Sequence, residues 1–256
     1  MVDKFDIQWQ LDTKPALHIL RVKLPNTIIE EMNDHIDKVI IPNNSDYSDG
    51  LVGQIRQDKK SAQLEYNLFE TSDGRKLKAL LDQMSNMYLK EINFGDCLAD
   101  VFESWTIHSY AGDYNPLHDH GVRTKSGLSM ILYLKVPECI EKLENPNDKG
   151  GNVYMNESSG EVDGFTYFNW APVTNQLYQM LYQPGESYVK PEVGILMVFP
   201  NWLKHAVMPF FGKGERRTLS ANANIIMPEH FDFKNAPKEQ LESLLTKLRQ
   251  PRKEKK

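Results

Sequence analysis

Three histidines have the side-chain type and the positions expected of a metal site. His118 and His120 are separated by one residue in a His-Asp-His triplet. If this triplet leaves the end of a β-strand, alternate side chains project to the same side, so both imidazoles can bind one metal ion. His205 follows a strongly apolar segment and a Pro-Asn-Trp turn, and we predict that it is the third ligand. Ligands on one side of a metal leave positions open on the other, as at non-haem iron sites.

The second ligand of this site has two candidates within the triplet. Strand alternation favours His120, which gives a site of three histidines. A β-bulge would instead turn the carboxylate of Asp119 inward and give two histidines and one carboxylate. The three-histidine site carries one more positive charge, and this should alter its reactivity toward oxygen. We predict His118, His120 and His205 as the ligands, with Asp119 as the alternative to His120.

The segments that must hold these histidines are short strands in the second half of the chain. They are rich in β-branched and aromatic residues and are separated by Gly, Asn, Asp and Pro. Several short strands at such a spacing predict a β-sandwich or a β-barrel. The predicted strands are residues 102–110, 129–136, 152–155, 187–189, 194–199 and 217–226.

The first hundred residues predict a flank that packs on this β core. Residues 16–24 alternate between apolar and polar side chains, which is typical of a strand. Asn26 and Thr27 predict the N-cap of a helix that ends near residue 39, and a polar loop follows to residue 53. Residues 75–92 have apolar side chains at helical spacing and predict a second helix.

The organisation predicted from these segments is a single domain over residues 1–248. Its parts are the strand and helical flank, the β core and a C-terminal helical segment, at residues 1–100, 101–227 and 228–248. The last eight residues, 249–256, form a basic tail that we expect to be solvated.

The overall composition is that of an ordinary globular protein. Of 256 residues, 40% are hydrophobic and 25% are charged, and the net charge is −5. This charge argues against a nucleic-acid-binding protein. The only two cysteines, Cys97 and Cys139, provide no disulfide framework and no zinc signature. Because no apolar run is long enough to cross a membrane, we expect a cytoplasmic protein without a membrane partner.

Five blocks between residues 104 and 226 occur in an order and at spacings that identify a family. They are residues 105–118, 126–137, 150–151, 194–205 and 214–222. Together they resemble the Fe(II)/2-oxoglutarate-dependent oxygenases, and most of all their prolyl-hydroxylase-like branch and the small oxygenases of phages and marine bacteria. The resemblance implies a mainly β fold with flanking helices, in which the core is a double-stranded β-helix, a cupin-like jelly roll. These oxygenases usually carry His-x-Asp or His-x-Glu where this chain has the His-Asp-His triplet.

The resemblance also implies a binding site for the cosubstrate 2-oxoglutarate. In the family, a basic residue on the strand after the third metal ligand holds the distal carboxylate, and arginine can do so through two parallel hydrogen bonds. Arg216 and Arg217 are the candidates, and alternation sends them to opposite faces. Arg216 shares its face with polar side chains, including Thr218, and is the predicted anchor, with Arg217 as the alternative. Tyr133 is expected to contact the same carboxylate.

The predicted function is that of a 2-oxoglutarate-dependent dioxygenase, an oxidoreductase that is most simply a hydroxylase. It would use Fe(II), 2-oxoglutarate and O2, and would couple decarboxylation to succinate with oxidation of a small molecule or a protein side chain. One alternative is a cupin-like three-histidine dioxygenase that needs no 2-oxoglutarate. Another is a catalytically silent jelly-roll binding domain. The sequence identifies neither the substrate nor the oligomeric state.

Overall fold

The computed structural model describes residues 8–14, 17–48, 63–121, 124, 126–144, 162–170, 185–227 and 237–249. Within these residues, eleven strands form two antiparallel sheets. The larger has the order β1-β2-β9-β6-β11-β4-β3, and the smaller has the order β5-β10-β7-β8. The strands are β1 (Gln8–Lys14), β2 (Leu17–Lys23), β3 (Gln63–Glu65), β4 (Leu98–Ser109), β5 (Asn115–His118), β6 (Gly127–Lys135), β7 (Thr166–Asn169), β8 (Glu186–Val189), β9 (Ile195–Pro200), β10 (Lys204–Val207) and β11 (Arg216–Ile226).

Helices flank the two sheets, and two of them pack against the larger sheet. They are α1 (Asn26–His35), which continues as a π-helix (Ile36–Ile40) and a short α2 (Ile41–Asn43), then α3 (Ser72–Glu91), α4 (Glu138–Glu141) and α5 (Lys238–Arg249). Two facing sheets with flanking helices form the double-stranded β-helix that the sequence predicts, so the predicted fold class is confirmed. None of the helices in the described residues is long and apolar enough to span a membrane bilayer.

Strand β11 has two chemically different faces. One face carries Leu219, Ala221 and Ala223, which are fully buried with apolar side chains of α3 in a single hydrophobic cluster. The other face carries the polar residues and looks into the space between the sheets, where Asn222 meets His120. This alternation separates a structural core on the helical side from a polar interior.

Helix α3 closes the apolar side of the larger sheet. Its buried residues recur at intervals of three and four, from Leu77 to Leu89, as the helical prediction requires. The helix starts three residues before the predicted start because Thr71 caps it, accepting a hydrogen bond from the Gly74 amide at 2.9 Å. A Cβ atom at Gly74 would lie 1.9 Å from the Asn67 carbonyl oxygen, so glycine is required there.

Two features of the first helical segment differ from the prediction. The N-cap of α1 is Pro25, without a side-chain cap hydrogen bond, rather than Asn26 or Thr27. Helical structure also continues past residue 39 to Asn43. Pro42 cannot donate a backbone hydrogen bond, and the chain accommodates it near the start of a separate short helix that follows a π-helical turn. Asn44, at φ 47°, then ends the segment.

Some predicted elements lie outside the described residues. They include the strand predicted at residues 152–155, the glycine pair at 150–151 and residues 250–256 of the predicted basic tail, whose first residue, Arg249, instead ends α5. The division of residues 1–248 into three parts of one domain stays a prediction.

Candidate metal centre

The three predicted metal ligands come together in the smaller sheet. His205 on β10 is the direct cross-strand partner of His118 on β5, which is how residues distant in sequence meet. The ring centroids of His118 and His205 are 4.4 Å apart, and those of His120 and His205 are 5.0 Å apart. One ligand atom from each of the three histidines lies within 4.8 Å of the other two. This spacing lets a single divalent cation contact all three.

Each imidazole is oriented by a hydrogen bond from its Nδ1 atom. The Nδ1 atoms of His118 and His205 donate to the carbonyl oxygens of Pro116 at 2.7 Å and Leu203 at 3.0 Å. His120 Nδ1 donates to the side-chain oxygen of Asn222 at 2.8 Å. When Nδ1 carries the proton, Nε2 keeps its lone pair free for a metal. All three histidines are therefore held in the same ligating tautomer.

Burial favours the neutral form of two of these histidines, His120 and His205. Burial lowers the pKa of His205 well below its usual value, and its neighbours His118 and His120 lower it further. Burial also lowers the pKa of His120, although the hydrogen bond to Asn222 opposes this shift. Because a metal ligand must be the neutral imidazole, the donor set fits a divalent ion such as Fe(II).

The Asp119 carboxylate has a different contact. Its Oδ1 atom accepts a hydrogen bond from the Gly121 amide at 3.0 Å and so closes the turn after β5. The cluster of possible metal ligands contains His118, His120 and His205 and does not include Asp119. This geometry favours the three-histidine alternative over the carboxylate alternative.

The polar interior of the jelly roll also holds a buried guanidinium group. Arg216 is 1% exposed, and the only partners found for it within the described residues are neutral. Its Nε donates to the Gly164 carbonyl at 3.0 Å, one terminal nitrogen donates to Thr166 at 3.3 Å, and the group lies 5.4 Å from the ring centre of Tyr133. Burial lowers the pKa of Arg216, and Tyr133 opposes that shift. A buried cation without a counter-charge provides a favourable place for an anion.

The other predicted cosubstrate residues lie beside Arg216. Thr218 is paired across the sheet with Tyr133, and both side chains are buried. The Tyr133 hydroxyl shares a 2.6 Å hydrogen bond with Thr166 on β7. Sequence reasoning missed Thr166, because it begins a segment without clear strand periodicity. The structure thus brings Arg216, Thr218 and Tyr133 together.

Arg217 points to the opposite face of β11, as alternation predicts. Its guanidinium group binds the carboxylates of Asp37 at 2.6 Å and Glu215 at 2.9 Å, and it donates to Asn33 at 3.0 Å. These contacts tie α1 and the following π-helix to the sheet. Arg217 is a structural cross-link whose charge is already compensated, and this leaves Arg216 as the arginine of the polar interior.

The Arg217 cluster predicts a loss of stability in acid. Burial raises the pKa of Glu215, but hydrogen bonds and charges from His108 and Arg217 outweigh burial and bring the pKa to about 2, below the ordinary value of 4.5. A lowered pKa stabilises the folded state fully above pH 4.5, and this stabilisation is lost as the pH falls toward 2. We expect Glu215→Gln to remove an acid-dependent contribution on the order of 2–3 kcal/mol. Urea unfolding of both proteins between pH 6 and 2.5 measures it, and parallel pH dependences would contradict the assignment.

A further group of side chains surrounds His120. Asn222, which orients the imidazole, also bonds Glu103 on β4, and Ser129 on β6 donates to the same Asn222 oxygen at 3.0 Å. The ring of Trp105 lies 5.8 Å from that of His120 and stacks on Tyr47 at 5.5 Å. Sequence reasoning noted Asn222 only as part of the polar face of β11 and missed the role of the other residues.

Comparison with known proteins agrees with this geometry. A model of the 2OG-Fe(II) oxygenase family matches residues 103–222. Among solved structures, EctD from S. alaskensis has a TM-score of 0.53 at 11% identity, over 86% of this chain and 84% of that chain. SnoK, a non-heme alpha ketoglutarate dependent carbocyclase from nogalamycin biosynthesis, has a TM-score of 0.51 at 12% identity, over 80% and 78%. A Pseudomonas putida prolyl-4-hydroxylase has a TM-score of 0.44 at 16% identity, over 84% and 91%. No curated protein sequence matches the chain.

The jelly roll and its histidine cluster define a double-stranded β-helix protein with a candidate metal site. The family match indicates which class of such proteins this chain resembles. Over residues 103–222 the chain is similar to the Fe(II)- and 2-oxoglutarate-dependent oxygenases, whose family model matches there. This match agrees with the predicted oxidoreductase class and with the predicted use of Fe(II), 2-oxoglutarate and O2.

Proposed function

We propose that His118, His120 and His205 bind Fe(II), and that Arg216, Thr218 and Tyr133 bind the distal carboxylate of 2-oxoglutarate. One observation carries this proposal. A cluster of three histidines and a buried arginine, to which the described residues provide no carboxylate partner, occupy the same interior of one jelly roll. The histidines suit a metal, and the guanidinium suits a carboxylate.

The dimensions of β6 fit a cosubstrate that connects the two groups. Ser129 lies beside His120, whereas Tyr133 lies beside Arg216, and both residues belong to the inner face of this strand. Four residues of a strand span roughly 13 Å. A metal ion and a five-carbon diacid, with side chains reaching inward from both ends, can occupy this length.

The chemistry requires both the iron and an enclosed pocket. Bound Fe(II) would supply the activation of O2 that couples decarboxylation of 2-oxoglutarate, to succinate and CO2, with oxidation of the substrate. The side chains of this chain bind and orient the reactants. Arg216 fixes the position of the distal carboxylate of 2-oxoglutarate, and the Nε2 lone pairs of the three histidines point toward the metal. Water is excluded by apolar side chains packed in this interior, which include Ile131, Phe168, Met197, Phe199 and Leu203.

We propose hydroxylation as the reaction, with a small molecule or a protein side chain as the substrate. The prolyl hydroxylases among the similar structures support the choice of reaction. We also propose that the enzyme acts in the cytoplasm, because Cys97 and Cys139 are both free thiols, as a reducing compartment would keep them.

An anaerobic titration tests the proposed function. Adding Fe(II) and then 2-oxoglutarate to the apoprotein should produce a visible metal-to-ligand charge-transfer band only when both are present, with one equivalent of each. Under air, succinate should form in proportion to the 2-oxoglutarate consumed. Stoichiometric iron binding without a band would favour a cupin-like dioxygenase that needs no 2-oxoglutarate. A protein that binds no iron would be a silent jelly-roll domain.

A further inference from the structure

The three histidines differ in what their Nδ1 atoms contact. His118 and His205 donate to backbone carbonyls, which are neutral. His120 donates to Asn222, whose amide nitrogen donates in turn to the Glu103 carboxylate at 2.6 Å. Within the described residues, His120 is thus the one of the three histidines that a chain of hydrogen bonds joins to a carboxylate.

The amide of Asn222 is held in a single orientation. Its oxygen accepts from His120 at 2.8 Å and from the Ser129 hydroxyl at 3.0 Å, while its nitrogen faces Glu103. Asn222 is 1% exposed. A reversed amide would place its nitrogen against two donors and its oxygen against a carboxylate. This chain of hydrogen bonds, which we call the relay, therefore runs in one direction. It leads from the His120 imidazole through the Asn222 amide to the Glu103 carboxylate.

The sheet register holds the members of the relay in place. Asn222 on β11 is the cross-strand partner of Glu103 on β4 and of Ser129 on β6. The β11–β4 register shifts immediately after Asn222, so Phe102 is left without a partner beside Glu103. Tyr47 donates its hydroxyl hydrogen to the second Glu103 oxygen. Three strands and a tyrosine thus fix the carboxylate behind the imidazole.

We propose that Glu103 is a positioning residue that acts on the metal through Asn222 and His120. This inference rests on the proposed metal ligands. A carboxylate at the end of a hydrogen-bond chain polarises the imidazole and makes its Nε2 a stronger donor to the metal. Three neutral imidazoles leave the full charge of the cation at the site. Glu103 is separated from the metal by Asn222 and His120, and it supplies part of the negative charge that a carboxylate ligand would provide. This charge favours Fe(III) over Fe(II).

The variant that tests this proposal is Glu103→Gln, because glutamine can keep the hydrogen bond with Asn222 while losing the charge. We expect Fe(II) affinity to fall about 10- to 100-fold. The midpoint potential of the protein-bound Fe(III)/Fe(II) couple should rise, since the charge that favours Fe(III) is gone. Glu30→Gln is the matched control, because Glu30 is an exposed residue of α1. It should leave both quantities unchanged.

A second variant separates the relay from a role in folding. Asn222→Ala leaves Glu103 in place but interrupts the connection, and it should shift affinity and potential in the same direction. In the double variant the two effects should not add, because both interrupt the same chain. If Glu103→Gln does not fold, Asn222→Ala carries the test alone.

The possible outcomes distinguish this inference from the proposed function. Wild-type affinity and potential in a folded Glu103→Gln protein, or in Asn222→Ala if that variant alone folds, would overturn the relay and leave the metal ligands standing. A shifted potential in an iron-loaded protein that forms no band with 2-oxoglutarate would support the relay and contradict the cosubstrate site. A wild-type protein that takes up no divalent metal would overturn both.

Discussion

Replacing His120 with alanine should abolish stoichiometric Fe(II) binding, whereas Asp119→Asn should leave it within about twofold. The His120 imidazole is one of three donors whose ligand atoms lie within 4.8 Å of one another. The Asp119 carboxylate instead accepts the Gly121 amide hydrogen at 3.0 Å, and asparagine can accept the same bond. Removing one of three protein ligands should weaken binding by at least about 100-fold, more than the 10- to 100-fold typical of residues behind the ligands. Anaerobic titration with Fe(II) in the presence of 2-oxoglutarate, monitored through the charge-transfer band, measures the difference.

A histidine outside the cluster provides the control for this pair of variants. His35 lies on α1, next to Asp73 and away from the cluster, so His35→Ala should retain iron. Iron binding that survives His120→Ala but is lost in Asp119→Asn would establish the site of two histidines and one carboxylate. It would also show that the turn after β5 rearranges when metal binds.

The candidate ligands could be predicted from sequence because their positions follow from local rules. A spacing of two residues at a strand end brings His118 and His120 to one side, and the period of two on β11 separates Arg216 from Arg217. These rules concern neighbours along one chain segment. They need no knowledge of which strands pair. The choice of His205 rests on the apolar segment and the turn before it, whereas its pairing with His118 across the sheet is not a local property of the sequence.

The residues behind the ligands could not be predicted in the same way. Glu103, Ser129 and Asn222 meet because three strands pair in one register, and a shift of a single residue would turn each side chain to the other face. The register shift after Asn222 is not visible in the sequence as a glycine or a proline. Thr166 depends on the pairing of β7 with β10, in a region whose composition gives no periodicity.

The first hundred residues show a related limit. Strand β1 was not predicted, because its residues alternate weakly and it gains its structure by pairing with β2 along its whole length. The first helix is predicted to end near residue 39, because the residues that follow are largely polar, whereas helical structure continues to Asn43. A local change to π-helical geometry is a tertiary adjustment, and propensity alone does not report it.

Exchanging Arg216 for methionine should separate cosubstrate binding from stability. Methionine is similar in length but uncharged, so Arg216→Met removes the two hydrogen bonds that a carboxylate could receive. We expect 2-oxoglutarate affinity to fall at least about 100-fold, since a charged hydrogen-bond pair is lost and the carboxylate is left buried without a partner. Fe(II) affinity in the absence of 2-oxoglutarate should stay unchanged. The free energy of unfolding should change by no more than about 1 kcal/mol, because the removed charge has no counter-charge among the described residues.

The adjacent residue gives the opposite expectation and serves as the matched control. Arg217→Met should lower the free energy of unfolding by about 2–4 kcal/mol, since it removes the buried guanidinium group that binds both Asp37 and Glu215. Its 2-oxoglutarate affinity should remain within about threefold of wild type, because the side chain lies on the helical face of β11. Isothermal titration of the iron-loaded or zinc-substituted protein measures affinity, and urea unfolding measures stability. If Arg217→Met lost the cosubstrate while Arg216→Met retained it, the carboxylate would bind on the other face of the strand, and the polar interior would need a different ligand.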